Sequence, residues 1–383
     1  MSGARGEIPL SRPDVTEHEI AAVTAVLRTP HLSLGPRVAA FEECVAARVG
    51  ARYAVAVSSG TAALHLCVRA LGIGPGDEVI TTPFSFVASA NCVLFEGARP
   101  VFVDIDPVTL NLDAKRVAAA ITPRTKALLP VHVFGLPAPM DALLELARTH
   151  GLAVIEDACE ALGAYYCGRH VGTLGDCGTF GFYPNKQITT GEGGMIVTNR
   201  EDIARLAYSL RNQGRDDGMG WLSHARLGYN YRLSDINCAL GIAQMERLEE
   251  ILSARAKVAA WYEELLATEA PTVVRPCAPP AGSTRSWFVY VVQLPPGYTA
   301  GERDALIKHL RAQGIGCNHY FPCIHLQPFY RAEFGYGPGD FPVAEEISAR
   351  SVALPFYNRL QREEVATVAR AVGAWLRGHR SGA

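Results

Sequence analysis

Residues 177–199 read CGTFGFYPNKQITTGEGGMIVTN, and this stretch decides the fold. Two β-rich apolar runs, 178–182 and 194–198, flank a loop that carries a single lysine, Lys186, and the glycine-rich turn Gly191-Glu192-Gly193-Gly194. Upstream, LAVIEDACEALGA (152–164) brings another apolar run to its end at Asp157. Further back, AVAVS (54–58) runs into Ser59-Gly60-Thr61 and then into the helix-like TAALHLCVRAL. A lysine and an acid at the ends of neighbouring core strands, with a helix-opening turn nearby, are the parts of a pyridoxal phosphate site. The lysine can carry the cofactor as a Schiff base, the acid can keep the pyridine nitrogen protonated, and the helix start can cradle a phosphate.

Each part alone has an ordinary reading. Ser59 and Asp157 could cap the helices that follow them. Phe86, just past EVITTP, could be a core residue, although it could also stack on a cofactor ring. The glycines of 191–194 could simply reverse the chain, or let backbone approach a cofactor. It is their combination that points to the cofactor. Gly72-Ile73-Gly74-Pro75-Gly76 superficially suggests a dinucleotide fingerprint, but it follows a helix and precedes a strand. That order fits a helix C-cap and turn, and it removes most support for a nicotinamide enzyme.

The same alternation extends outward. Strand-like runs fall at 54–58, 78–82, 101–104, 127–131, 152–156, 178–182 and 194–198, with helix-like stretches at 61–71, 87–96, 113–120 and 140–150. This is the pattern of an α/β fold with a mostly parallel seven-stranded sheet covered on both faces, whose ligands gather at the carboxyl ends of the strands. From Asp235 to Leu266 the apolar spacing predicts one long helix, roughly 45–50 Å by its rise, enough to pass from one domain into another. A Pro- and Gly-rich stretch, 270–286, follows. Then come a strand at 287–293, a helix at 301–313 and a terminal helix from about Gln361, which read as a smaller α+β domain. The expected division is a large cofactor-binding domain over 1–250, N-terminal arm included, and a small C-terminal domain over 251–383.

Composition narrows the function. With 383 residues, 49% hydrophobic and 19% charged, the chain can bury a substantial core. A formal net charge of −2 gives no global field for nucleic acid or anionic membrane. The opening MSGARGEIPLSRPD lacks the apolar centre of a signal peptide, and no apolar run is long enough to span a bilayer. The 10 cysteines form no CxxC pair and no Cys/His cluster, so they read as reduced structural thiols of a cytoplasmic protein, with no metal site expected.

Taken as a set, the motifs identify a family. LSLGPRVAAFE, SSGTAALHL, TTPFSFVASAN, IEDACEALGA, FGFYPNKQITTGEGGMI, GYNYRLSDINCALG and HYFPCIHLQPFY resemble the DegT/DnrJ/StrS family of sugar aminotransferases, from about Ile8 to about Leu376. The resemblance implies a fold-type I, aspartate-aminotransferase-like architecture and a homodimer with shared active sites. It implies that Lys186 bears the cofactor, Asp157 binds the ring nitrogen, Phe86 stacks on the ring, Gly60 and Thr61 hold the phosphate and Glu160 lies near the ring hydroxyl. It further implies that Asn230 reaches the neighbouring subunit's cofactor phosphate and that Tyr320 and His325 lie near the sugar-nucleotide site. Two positions depart from the common pattern. Gly181 stands where many members carry a phosphate-binding serine, and Glu160 stands where many carry glutamine. A negative charge at 160 needs a proton or a partner.

The implied reaction moves an amino group from an amino acid, glutamate first, to a keto-sugar nucleotide. A 4-keto-6-deoxy sugar leads, because ITTGEGG and GYNYR are similar to perosamine- and bacillosamine-type members. Aminotransferases of 3-keto sugars or keto-inositols share these motifs. Related sugar dehydrases replace the lysine with histidine, so Lys186 argues against dehydration, and the intact lysine–acid pair argues against a non-catalytic regulator.

Overall fold

A computed structural model describes residues 7–220 and 222–380; the first six residues of the N-terminal arm, and the chain end beyond 380, lie outside the described residues. Among the described residues eleven strands occur in chain order: β1 Tyr53–Val57, β2 Glu78–Thr81, β3 Arg99–Phe102, β4 Thr125–Leu128, β5 Ala153–Asp157, β6 Tyr165–Tyr166, β7 Arg169–His170, β8 Cys177–Gly181, β9 Gly194–Thr198, β10 Tyr290–Gln293 and β11 Ser351–Leu354. Seven of them form one sheet in the order β1-β9-β8-β5-β4-β2-β3. All neighbours run parallel except β9, which is antiparallel to both β8 and β1. The expected mostly parallel seven-stranded α/β sheet is therefore present. β3 starts two residues earlier than its apolar run and contains Pro100, which an edge strand tolerates because one side of it makes no ladder bonds.

Alternation along the strands feeds two cores. Val55, Val57 and Ile196 face one cluster with the helices Gly60–Ala70 and Glu201–Arg211, while Ala54, Ala56, Met195 and Val197 face another with the helix Pro36–Val49. Both faces of the sheet are thus buried, as the near-continuous apolar strands require. The Gly72–Gly76 stretch is a turn after the helix C-cap, with Gly72 at φ 71 and β2 beginning at Glu78.

The long helix expected from 235 to 266 is two helices, Asp235–Glu246 and Leu248–Glu269, meeting at Arg247, whose backbone is non-helical at φ −102, ψ 9. The break has a physical cause. The Arg247 guanidinium is drawn to Glu19 Oε1 at 2.8 Å and Asp14 Oδ2 at 3.2 Å, and Gln244 donates to the same Glu19 oxygen at 2.9 Å. Apolar periodicity continues across the break and does not reveal it. The second helix then joins two cores. Leu248 and Ile251 lie in the sheet's core, while Val258, Tyr262 and Leu266 lie in a separate core with β10, β11 and the helices Ala300–Ala312 and Arg362–Arg380.

Within the N-terminal arm, which the sequence groups with the large domain, Ile8 lies in this second core while Leu10 packs against the core beside the sheet. Ile8 bridges Ile315, and the Phe356 N–H donates to the Leu10 carbonyl at 2.9 Å. Conversely, Phe288, Phe321 and Ile347, from beyond residue 250, belong to the core beside the sheet.

The Glu19 carboxyl is opposed by burial, but hydrogen bonds from Thr16, Arg247 and Gln244 outweigh that and hold it down at about 2. A carboxyl with a depressed folded-state pKa stabilises the fold above its unfolded value, and that contribution is lost as pH falls from about 4.5 towards 2. Replacing it, Glu19→Gln, is expected to lower stability at pH 7 by about 1–3 kcal/mol. In urea titrations the gap from the parent protein should narrow as pH is lowered through that window; a gap constant with pH would contradict the assignment.

Candidate active site

Topology brings the chemical residues to one edge. β1, β5 and β8 all end on the same side of the sheet, and because β9 runs back, the loop between β8 and β9 lies there too. That loop carries Lys186, β5 ends in Asp157, and the helix Gly60–Ala70 starts just beyond β1. Together they surround a cavity of about 510 Å³ lined by Gly60, Thr61, Phe86, Asp157, Glu160, Lys186 and Tyr320, among others. Seven of the nine residues singled out by sequence therefore meet in one place.

At one end of the cavity Ser59 caps the helix, its Oγ accepting from the Ala62 N–H at 3.1 Å. The first amides of a helix have no intrahelical partner, so Gly60 and Thr61 present theirs to an anion. Glycine is needed here by space. A Cβ on Gly60 would stand 2.9 Å from Cys159 Sγ, and one on Gly194 would stand 2.4 Å from the Ser59 carbonyl oxygen. The second glycine of the 193–194 pair thus lets β9 lie directly against the helix start. Gly181 faces the same wall, where Cys159 rather than a hydroxyl fills the space beside it.

At the other end lies Asp157, 5% exposed. Its Oδ2 accepts from Ser89 Oγ at 2.8 Å and its Oδ1 from the Cys159 N–H at 3.1 Å. Since a carboxylate can only accept, Ser89 is the donor, and Ser85 Oγ at 2.9 Å completes the chain by donating to Ser89. The carboxylate is held in one orientation with lone pairs to spare.

Lys186 sits between these ends. Its Nζ lies 3.7 Å from Glu160 Oε1 and 3.9 Å from the centre of the Phe288 ring. Its backbone is anchored from behind: the fully enclosed Arg255 donates to the carbonyls of Asn185 at 3.1 Å and Lys186 at 2.9 Å. Burial pushes the Glu160 carboxyl above the usual range, with the Lys186 ammonium and the Phe134 N–H, 2.9 Å from Oε2, opposing it. The acid at 160 thus has both of the partners that its charge requires.

Two residues are not brought to the cavity. Asn230 is exposed and forms an isolated bridge with Asn212 on its own chain. Its neighbours Tyr229 and Tyr231 are tied to the helix Gly60–Ala70 by a cluster around the buried Glu96. Glu96 accepts from His65 Nε2 at 2.7 Å, Arg69 at 2.6 Å and the Tyr229 hydroxyl at 3.1 Å. Burial lowers the His65 pKa, and its Nδ1 lies 3.2 Å from the Tyr231 hydroxyl. His325 is completely buried outside the cavity lining, with Nε2 3.0 Å from Glu345 and its ring edge-on to Phe341. The 3-10 turn Ile324–Leu326 turns this ring into the aromatic cluster around Phe341 and Tyr336.

Sequence reasoning missed Ser85, Ser89, Arg255 and Phe288. Ser89 lies in the first turn of the helix Ala88–Leu94, and Ser85 lies in the bend just before it, so their contact is set by the turn. Arg255 interrupts the buried stripe Leu248, Ile251, Val258, Tyr262, and a charge on an apolar stripe was the available signal.

The residues fit pyridoxal phosphate: a primary amine, a buried fixed carboxylate and an open helix start share one cavity, and glycine holds the space where a Cβ would intrude. Fold and site together define a pyridoxal phosphate-dependent aminotransferase. Residues 13–373 match the DegT/DnrJ/EryC1/StrS aminotransferase family, and the chain belongs to it. It is 44% identical over 340 residues to the GDP-perosamine synthase of Caulobacter vibrioides, covering 89% of this chain and 90% of that protein. Among solved structures it resembles S. venezuelae DesV, with TM-score 0.89, 36% identity and coverage of 97% and 99% of the two chains. It also resembles the PLP form of Spr1654 from Streptococcus pneumoniae, with TM-score 0.91, 26% identity and coverage of 97% and 99%.

Removing the donor to Asp157, as in Ser89→Ala, should weaken cofactor binding by about tenfold, the worth of one hydrogen bond to a charged group. Equilibrium dialysis against the cofactor measures this. Unchanged affinity would mean that Asp157 is oriented without Ser89.

Proposed function

We propose that this aminotransferase carries an amino group from an amino-acid donor, L-glutamate first, to the keto carbon of a nucleotide-linked sugar, a 4-keto-6-deoxy sugar first. The reading rests on one observation: Lys186, Asp157 and the Gly60–Thr61 helix start converge on one cavity in a chain 44% identical to a GDP-perosamine synthase. The product would enter amino-sugar, polysaccharide or antibiotic-sugar synthesis.

When bound, pyridoxal phosphate supplies an electrophilic carbon and a sink for the electron pair left when a substrate C–H bond breaks. The chain supplies the rest. Lys186 Nζ holds the cofactor between turnovers, and once displaced by the donor it is the free amine that lifts a proton from the donor's α-carbon. In the second half of the cycle the same Nζ returns a proton to the sugar carbon. Asp157, fixed by Ser89, faces the ring nitrogen and favours its protonated form. Gly60 and Thr61 bind the phosphate through the helix start, and Phe86, 60% exposed at the cavity mouth, covers the ring. Tyr320 faces the acceptor. Glu160, with its raised pKa, stands where a proton can be shared with the ring oxygen.

With no hydroxyl at Gly181, the phosphate depends more heavily on Asn230 of a second copy. We therefore take the working unit to be a homodimer, with the His65–Glu96 cluster setting the register of the segment that crosses. The chain divides near residue 250, where the helix Leu248–Glu269 passes from one core to the other. Ten free cysteines favour the cytoplasm, and among the described residues no helix is long and apolar enough to cross a membrane.

Borohydride treatment of the loaded enzyme should leave a pyridoxyl mass on the peptide containing Lys186; a label elsewhere would remove the site assignment. A screen of amino acids and keto-sugar nucleotides, followed by cofactor absorbance, should show glutamate converting the enzyme and a 4-keto sugar converting it back. Turnover of 3-keto sugars or keto-inositols alone would redirect the substrate. Mixing inactive Lys186→Ala and Asn230→Ala proteins should restore activity, because one site of each hybrid dimer is then intact. No recovery under conditions that exchange subunits would show that Asn230 serves its own chain.

A further inference from the structure

A second cavity, about 150 Å³, lies beside the active pocket between the 107–110 turn, the Val133–Phe134 turn and the segment from Val274 to Gln293. Its walls are chiefly apolar, with Val133, Val289 and Val291 prominent, and two guanidinium groups, those of Arg275 and Arg285, join them. Arg275 is answered by Glu263 at 3.2 Å. Arg285 is not answered. Its guanidinium lies over Trp287 at 4.7 Å and donates only to Cys277 Sγ, at 3.8 Å, while its Nε is buried without a hydrogen-bond partner. Among the described residues no carboxylate forms an ion pair with it. Burial pushes its pKa down, the mark of a cation deprived of water. A half-buried guanidinium whose Nε has no partner, and which Glu263 reaches only without direct contact, is costly, and an anion entering the cavity would relieve that cost.

We propose that this cavity binds a small aliphatic carboxylate, its oxygens on Arg285 and its hydrocarbon against Val133, Val289 and Val291. The apolar walls favour a carboxylate over inorganic phosphate, which has no hydrocarbon to bury. An apolar cavity of about this volume holds a molecule of the size of benzene, which matches a four-carbon acid. The occupant would touch Phe134, whose N–H holds Glu160 and whose ring stacks on Phe321, 5.3 Å away, in the active pocket. The site makes no use of the sugar reading and stands or falls separately from it.

Butanoate is the probe, followed by isothermal titration calorimetry on the cofactor-loaded enzyme. Saturable binding is expected in the parent protein and equally in Lys186→Ala, which separates this cavity from the active pocket. Arg285→Gln should weaken binding at least about tenfold, the scale of a lost charge-assisted hydrogen bond. Val108→Trp, at an exposed position on the rim, should do likewise without touching the core, which guards against misfolding of the first variant. Inorganic phosphate should not compete. Absence of saturable binding, binding that survives both variants, loss of binding in Lys186→Ala, or displacement by phosphate would each overturn the proposal.

Discussion

Gly194 is the residue on which the site's geometry hangs. It is paired with Gly181 on one side and Val57 on the other, at the first position of the one antiparallel strand in the main sheet. A side chain there would collide with the Ser59 carbonyl at 2.4 Å. The double pairing sets three things at once. It closes β1 onto the sheet, turns the loop bearing Lys186 back over the carboxyl edge, and places the helix start at Gly60 beside that loop. Because the loop leaves the carboxyl end of β8 and returns into β9 at that same edge, the amine and the helix start at Gly60 share a cavity.

Around that register the polar groups are arranged by position more than by number. Asp157 is fixed by a serine and a main-chain amide and keeps capacity for a further partner. Glu160 is raised by burial, opposed by the Lys186 ammonium and the Phe134 amide that face it. The Glu96 cluster does different work. Five side chains from three segments satisfy one another around the buried Glu96, which fixes where Asn230 leaves the surface. A partly satisfied cluster of this kind would be costly, so the segment has little freedom to shift.

Much of this was legible in the chain. The strands showed because buried β-sheet demands apolar runs, and Lys186, Asp157 and Ser59-Gly60-Thr61 showed because each sits where such a run stops. The direction of β9 was not legible, since the loop after Phe182 is long enough to serve either a hairpin or a crossover. The break at Arg247 was hidden because its cause lies in Glu19 and Asp14, more than two hundred residues away in sequence. The arm at Ile8 joins the second core through backbone bridges that leave no side-chain pattern. Ser89 and Arg255 act on Asp157 and Lys186 from behind, and contacts of that kind are set by packing in three dimensions. His325 sat in a recognisable motif whose Tyr320 and Phe321 line the cavity, while His325 itself packs in an aromatic cluster outside that lining.

The helix Leu248–Glu269 has one more implication. It is rooted in both cores, and its Arg255 grips the carbonyls of Asn185 and Lys186. The lysine's main chain is therefore bolted to a strut rather than suspended in a loop. If the second core rocks as a substrate arrives or departs, the strut carries that displacement straight to the amine, and the rest of its loop need not move. The reactive nitrogen then takes its frame of reference from a core separate from the sheet's own.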